Sequence, residues 1–468
     1  MFVIINMVRE MNFKKFSKLM LGIILLCQLN ACVLSSGLAD KENLQLTKVE
    51  IDKDYELKMK RLFVTASLLV GAMVFAGGFR VSLQGVKQLA QAHTSAHTED
   101  ASVAFFNPAG ISFIPNKLSI VAGGFGVVSN ITYQNPMTLE SYDTNSPIGT
   151  PIYAAAAYKV SKDVSVGFSF TTPFGSTVDW GNQWAGQEIV QKMQLKSFFF
   201  QPMVSVKLAD WVSLGGSYIY AKGEVNWDKA VSKLGGKVNI KDKEASGQGF
   251  SLGFYFKPNE KLDVSVAYRS PVDIEAKNGK ITVNASKAVF STLQLDANGQ
   301  DRFKATLPLV DEYTIGATYK ITPRWSVSAD FNYTGWSRYD ELTLDFDKAL
   351  LGNQTDATIL TTPKNFKNTQ TWRVGTEYKL TNKLAGRLGY YFDESPYDDA
   401  NFIPETPSFD NQVITAGFGY RFSHFGVDVA GGYSFLQPRN VANAYNQFYG
   451  QAKGNAFYFG LGLSYNPF

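Results

Sequence analysis

The sequence predicts an all-β fold: a transmembrane antiparallel β-barrel of about 14 strands with an N-terminal hatch in its lumen. Three observations carry this. Apolar and polar residues alternate with a period of two along most of the chain, and short connections alternate with long ones in strict order. Downstream of the N-terminal region there is no run of about 18 or more apolar residues, so a bilayer would have to be crossed by strands that satisfy one another's backbone groups. The bulk numbers agree. With 45% hydrophobic residues among 468 and a mean hydropathy of −0.11, a polytopic helical membrane protein is excluded, while 23 Tyr, 35 Phe and 40 Gly suit strands ringed by aromatic girdles.

Two export-like segments open the chain. The second has Lys58-Met59-Lys60-Arg61, an apolar stretch from Leu62 to Phe75, and small residues at Val74 and Ala76 that suit cleavage before Gly77. The first has Lys14, Lys15 and Lys18 ahead of Leu19–Leu26 and ends in Leu29-Asn30-Ala31-Cys32, an imperfect lipoprotein box. Residues 1–58 therefore read as an over-extended start or upstream leader, with a lipidated Cys32 as the alternative. Residues 59–76 read as the signal peptide, 77–116 as the hatch and 117–468 as the barrel. Cys27 and Cys32 both precede the expected cleavage point, which leaves the mature chain no thiol for a disulfide, metal or redox site.

Hatch residues 77–116 do not alternate. Leu83, Val86, Leu89 and Ala90 stand at helical spacing in a segment rich in small and polar residues, too polar for lipid and long enough to fill a wide lumen. His93 and His97, four residues apart, would share a helix face for a metal or haem iron. Without a cysteine, an HExxH motif or an obvious third ligand they read instead as polar lumen surface, so no metal or cofactor is expected.

The barrel pattern is explicit. Val164, Val166, Phe168 and Phe170 interleave with Ser165, Gly167 and Ser169, and Leu262, Val264, Val266 and Tyr268 interleave with Asp263, Ser265 and Ala267. Strands are expected near 117–128, 150–160, 162–172, 193–208, 211–227, 247–257, 261–277, 309–320, 323–345, 367–381, 383–394, 411–423, 425–436 and 454–465. Tight turns fall at 160–162, 208–210, 257–260, 321–322, 381–382 and 422–424, on what would be the periplasmic side. Phe468 is a terminal aromatic of the kind expected by the outer-membrane assembly machinery, although Asn466-Pro467 interrupts the pattern leading into it.

Other classes fit poorly. A net charge of +4 without a basic stripe does not indicate nucleic acid. An enzyme would need a base beside a nucleophile, yet the chain has 3 His and none lies on a long extracellular loop, His424 falling in a tight turn. An adhesin or structural barrel acting through loops such as 278–308 is the alternative, and an elaborate hatch argues against it and against an open porin.

Asn107-Pro108-Ala109-Gly110, preceded by Thr98-Glu99-Asp100-Ala101-Ser102, resembles the hatch of the FadL/TodX family of outer-membrane transporters. Pro173-Phe174-Gly175, Leu307-Pro308, Tyr333-Thr334-Gly335-Trp336-Ser337, Phe392-Asp393-Glu394-Ser395-Pro396 and Ile403-Pro404 follow in that family's order. The resemblance implies passive transport of long-chain fatty acids or other hydrophobic small molecules, held in a lumenal pocket and released sideways into the bilayer where the third strand kinks toward the hatch. From the residues alone, Pro173 and Gly175 either break strand pairing or begin a loop, and Asn107 before Pro108 either faces that gap or makes an ordinary turn. One departure bears on the substrate. Where fatty-acid members of the family carry cations, spacing places Trp227 and Thr343 here. Lys222 and Arg338 are the candidate head-group residues in their stead, with Lys229 and Lys348 nearby.

Overall fold

The computed structural model describes residues 77–232 and 235–467; the two export-like segments and Phe468 lie outside them. Its strands form one closed antiparallel barrel of 14. They are β1 (Leu118–Gln134), β2 (Ile152–Lys159), β3 (Val164–Thr171 and Gly175–Asp179), β4 (Lys192–Ala209), β5 (Val212–Val231), β6 (Gly236–Asn259) and β7 (Leu262–Arg269 and Val272–Asn284). The second half is β8 (Gln300–Leu309 and Glu312–Thr322), β9 (Trp325–Thr334 and Glu341–Phe346), β10 (Ile359–Pro363 and Thr369–Lys379), β11 (Leu384–Asp393), β12 (Asn411–Arg421), β13 (Phe425–Asn443) and β14 (Phe448–Tyr465). The ladder between β1 and β14 runs from Ile120↔Tyr465 to Gln134↔Gln451 and closes the wall, so no edge is left to pair with another chain.

The alternation read from the sequence sorts residues between lumen and lipid. On β2, Tyr153, Ala155 and Ala157 are 5%, 3% and 5% exposed, while Ile152 and Tyr158 are 48% and 43% exposed. Phe168, Val204, Leu252, Phe254, Val374 and Leu461 are likewise exposed, while Ser165, Ser169, Ser205, Ser265 and Thr371 are buried. Polar groups inside and large apolar groups outside invert the order of a soluble protein and match a wall immersed in hydrocarbon.

The tight turns all lie at one end of the barrel, but the opposite end differs from expectation. Two connections expected to be long are tall hairpins: β5 and β6 run on to Val231 and from Gly236, and β13 and β14 to Asn443 and from Phe448. Inward positions Trp227, Val238, Ile240, Val441 and Ala452 remain buried along these extensions. The outward face, however, turns to Asp228, Lys237 and Lys241, as suits strands rising out of lipid into water, and the apolar alternation that marks a strand disappears there.

Residues 77–114 pack inside the wall. Only Val86–Leu89 of the expected helix forms a helical turn. Gly85 enters it at φ 91°, and Ala92 and His93, at φ 58° and 60°, end any continuation. Two 3-10 turns follow, Ala101–Phe105 and Pro108–Phe113. Hydrogen bonds tie the segment to strands all around: Val86 N to Tyr153 Oη on β2 (3.1 Å), Ala101 N to Ser119 Oγ on β1 (2.8 Å) and Ser213 Oγ on β5 to Ala109 O (2.8 Å). Ser95 N reaches Asp330 on β9 (2.9 Å) and Ala92 N reaches Thr415 on β12 (3.2 Å). Backbone approaches wall so closely at Gly215 that a Cβ there would lie 2.4 Å from Ala109 N.

The segment is also held by an internal ion pair. Lys87 Nζ sits 2.8 Å from Asp100 and 3.2 Å from Glu99, and the Lys87 and Asp100 side chains are 6% and 4% exposed. Lys87→Met is expected to strand the Asp100 carboxylate at a cost of about 3–5 kcal/mol. Hydrogen exchange across 86–105 would then quicken severalfold while barrel amides stay protected; unchanged exchange would show that the pair holds nothing together.

Candidate functional site: a gap in the wall beside an apolar cavity

Third-strand pairing breaks at Thr172-Pro173-Phe174. Thr171 faces Phe199 of β4 and Gly175 faces Lys196, so β3 takes four steps where β4 takes three, a one-residue bulge. On its other side, the ladder to β2 ends at Tyr153↔Thr171. Pro173 has no N–H to offer a neighbour. The groups turned away from β2 are taken up by the start of the hatch: Val81 N donates to Pro173 O (2.7 Å) and Gly175 N to Phe79 O (2.9 Å). Strand contact resumes only where Asn145 N meets Asp179 O (2.8 Å).

A cavity of about 550 Å³ occupies this break. Pro147 and Gly149–Ile152 line one side, Thr172 and Phe174–Val178 the other, and Gly77–Leu83 of the hatch its floor, without Phe79. A smaller cavity of about 90 Å³ lies across Phe79 in the lumen, bounded by Trp227, Ile240, Ile274, Phe303, Leu309 and Leu344 among others. Between the two stands an aromatic partition. Phe79 packs edge-on to Trp336 at 4.8 Å between ring centroids, with Tyr339 at 5.8 Å and Phe174 at 6.2 Å. At the edge of the apolar cavity Lys364 and Glu405, both buried, neutralise each other at 2.7 Å.

The residues singled out from sequence separate into three places. Phe174 and Gly175 line the gap, and Pro173 O accepts from Val81 N of the hatch beside it. Asn107, Pro108 and Ala109 lie elsewhere. Asn107 Oδ1 accepts from Ala109 N (2.9 Å), and its Nδ2 donates to Phe254 O (2.9 Å) and Ser265 Oγ (3.0 Å), so the motif anchors the hatch to β6 and β7 and does not face the gap. Gly253 accommodates that anchor: a Cβ there would sit 2.0 Å from Asn107 Oδ1. Lys222 and Arg338 are exposed and neither lines the apolar cavity, because Lys222 points outward between inward Ala221 and Gly223 and Arg338 sits in a surface 3-10 turn. Of the neighbouring cations, Lys229 comes near, its Nζ 5.4 Å from the Trp227 ring centroid.

His93 and His97 do not share a helix face. His97 Nε2 pairs with Thr94 Oγ1 (2.8 Å), whereas His93 meets Tyr391 edge-on and has no hydrogen bond at either ring nitrogen. Burial, then the charges of Arg373 and Arg80, hold the His93 imidazole well below its usual pKa and therefore neutral. Phe79, Arg80 and the Lys364–Glu405 pair were not singled out from sequence. Apolar Phe79 and Val81 flanking Arg80 are the one local sign of the bridge that Arg80 makes to Phe174.

A family model described as "Outer membrane protein transport protein (OMPP1/FadL/TodX)" matches residues 67–467. The "47 kDa outer membrane protein" of Pasteurella multocida is 24% identical over 428 residues, covering 86% of this chain and 97% of that protein. Among solved structures, a Pseudomonas aeruginosa FadL homologue superposes with a TM-score of 0.72 at 19% identity, over 83% of this chain and all of that one. The P. putida toluene transporter TodX gives 0.64 at 14% identity, over 84% and 99%. At those identities the structures establish the fold, and the family model, spanning the barrel and hatch, establishes the kinship. The chain belongs to the outer-membrane transport proteins of the OMPP1/FadL/TodX family.

Proposed function

We propose that this barrel passes fatty acids or other hydrophobic small molecules from the apolar lumenal cavity, past the Phe79–Phe174 partition, through the β3 gap and sideways into the outer membrane. The observation that carries the reading is the gap itself: a cavity set between β2 and the second half of β3, separated from an apolar chamber by the Phe79 side chain. A solute gains about 0.8 kcal/mol for each CH2 moved from water into an apolar site, so a water-filled channel would offer it nothing, while an apolar chamber opening on the bilayer gives a downhill path. The hatch closes the straight route for water and ions. That a structural relative is named for toluene supports an apolar cargo.

In planar bilayers the intact purified barrel is expected to show no large steady conductance, and native mass spectrometry of the protein from its own membranes is expected to release a hydrophobic molecule. A large steady ion current would make it a porin, and a barrel that binds neither a fatty acid nor a hydrocarbon would remove the transport reading.

A further inference from the structure

A separate polar cavity of about 40 Å³ lies beside Arg80 and Ser82, which it shares with the gap cavity. Three guanidinium groups and one carboxylate line it. Arg80 and Arg269 both bind Glu312, at 2.7 and 2.5 Å. Arg373, only 2% exposed, forms no ion pair among the described residues: it donates to Asn332 Oδ1 (2.8 Å), Ala92 O (3.2 Å) and Ser82 Oγ (3.4 Å), with Tyr391 beneath it at 5.0 Å. The carboxylate of Asp393, across the ladder from Thr371, accepts from Thr371 Oγ1 (2.6 Å). Three guanidinium groups thus line the cavity with a single carboxylate, Glu312, while Asp393 and Asp330 lie near Arg373 outside the lining, and three nitrogens at its border have no hydrogen-bond partner: both of His93 and Nε of Arg269.

A buried guanidinium with no carboxylate in contact is costly to hold, and guanidinium forks match a carboxylate in shape and donor geometry. By the measure that allots about 10–15 Å³ to a single water, the cavity admits a few waters or one carboxylate group. We propose that this cavity is a carboxylate site: Arg373, Arg80 and His93 hold the ionised head of an amphiphilic acid while its chain lies in the adjoining gap cavity against Val81, Leu83, Val127 and Val178. The position of the chain rests on the lateral route proposed above; the head-group site does not. It lies apart from Lys222 and Arg338, across the hatch from the apolar chamber.

The test is equilibrium binding of octanoate and of 1-octanol to the full barrel in lipid nanodiscs, comparing the native protein with Arg373→Met and His93→Phe. The native protein is expected to prefer octanoate by about tenfold or more, as charge-assisted hydrogen bonds would give, and Arg373→Met to erase that preference. His93→Phe, which breaks no hydrogen bond in the structure, keeps the test open if the arginine variant fails to fold, and should weaken octanoate binding severalfold with octanol unchanged. Equal affinity for both probes, a preference that survives Arg373→Met in a folded barrel, or equal losses for both probes would each overturn the proposal. Uptake of palmitate and 1-hexadecanol by cells producing the protein separates the two readings: if neither enters while octanoate still binds, lateral transport fails and the carboxylate site stands.

Discussion

Deletion of Pro173 is expected to cut uptake of a hydrophobic solute by about tenfold or more while the barrel still assembles. The reason is register. Before the bulge the inward residues of β3 are odd-numbered, Ser165, Ser169 and Thr171; after it they are even-numbered, Phe174 and Val178. Removing one residue between Thr171 and Phe174 gives β3 the same number of steps as β4, and the inward set then runs without a change of parity through Thr171, Phe174, Ser176 and Val178. Nothing would remain to divert the strand from the wall, and the hatch would lose the acceptor that Pro173 O provides to Val81 N. Pro173→Ala keeps the surplus residue and should keep most of the transport, so the pair of variants distinguishes the bulge from the proline ring. Heat-modifiable migration on gels reports whether each barrel is folded. Persistent uptake through a folded deletion variant would mean that the exit lies elsewhere.

What could be read from the residues follows from which solvent each face meets. Where both faces obey one rule, apolar to lipid and polar to lumen, as in the first part of β3 and the lower half of β7, alternation located the strands to within a few residues. Where the outer face leaves the membrane the rule changes. Asp228, Lys237 and Lys241 then resemble a loop, although Trp227, Val238 and Ile240 on the opposite face still pack as strand residues. Pro173 and Gly175 marked the break in β3, but its depth depends on Phe79 and Val81, almost a hundred residues earlier, and no local pattern reports such a pairing. Residues 77–116 were legible as a non-alternating segment, yet the helix expected there stops after one turn, because positive φ at Ala92 and His93 is set by contacts with the wall. Lys222 and Arg338 were plausible by spacing alone. A shift of one residue exchanges lumen for lipid, and Lys222 lies on the outer side of that divide.

The proposed routes place hydrophobic cargo and carboxylate recognition in different cavities, and Ile274→Asp should separate them. Ile274 is 5% exposed and lines the apolar chamber opposite Gly223, where a Cβ would lie 2.7 Å from Ile274 Cγ2. An aspartate there would gather water in the chamber or remain uncomfortably dry. In either case a neutral ligand must displace that water or face a bare carboxylate, at a cost of several kcal/mol. Affinity for a neutral apolar probe such as naphthalene is therefore expected to fall about a hundredfold, equivalent to about 2.7 kcal/mol. Ile274→Leu, which conserves volume, should change it little. Octanoate held by Arg373 across the hatch should lose less than about twofold, because its head group makes no contact with this chamber. If Ile274→Asp instead abolishes octanoate binding and spares naphthalene, the acid occupies the chamber and the arginine cluster serves only to hold the hatch. Naphthalene affinity that survives the charge would show that the chamber is not where apolar cargo rests.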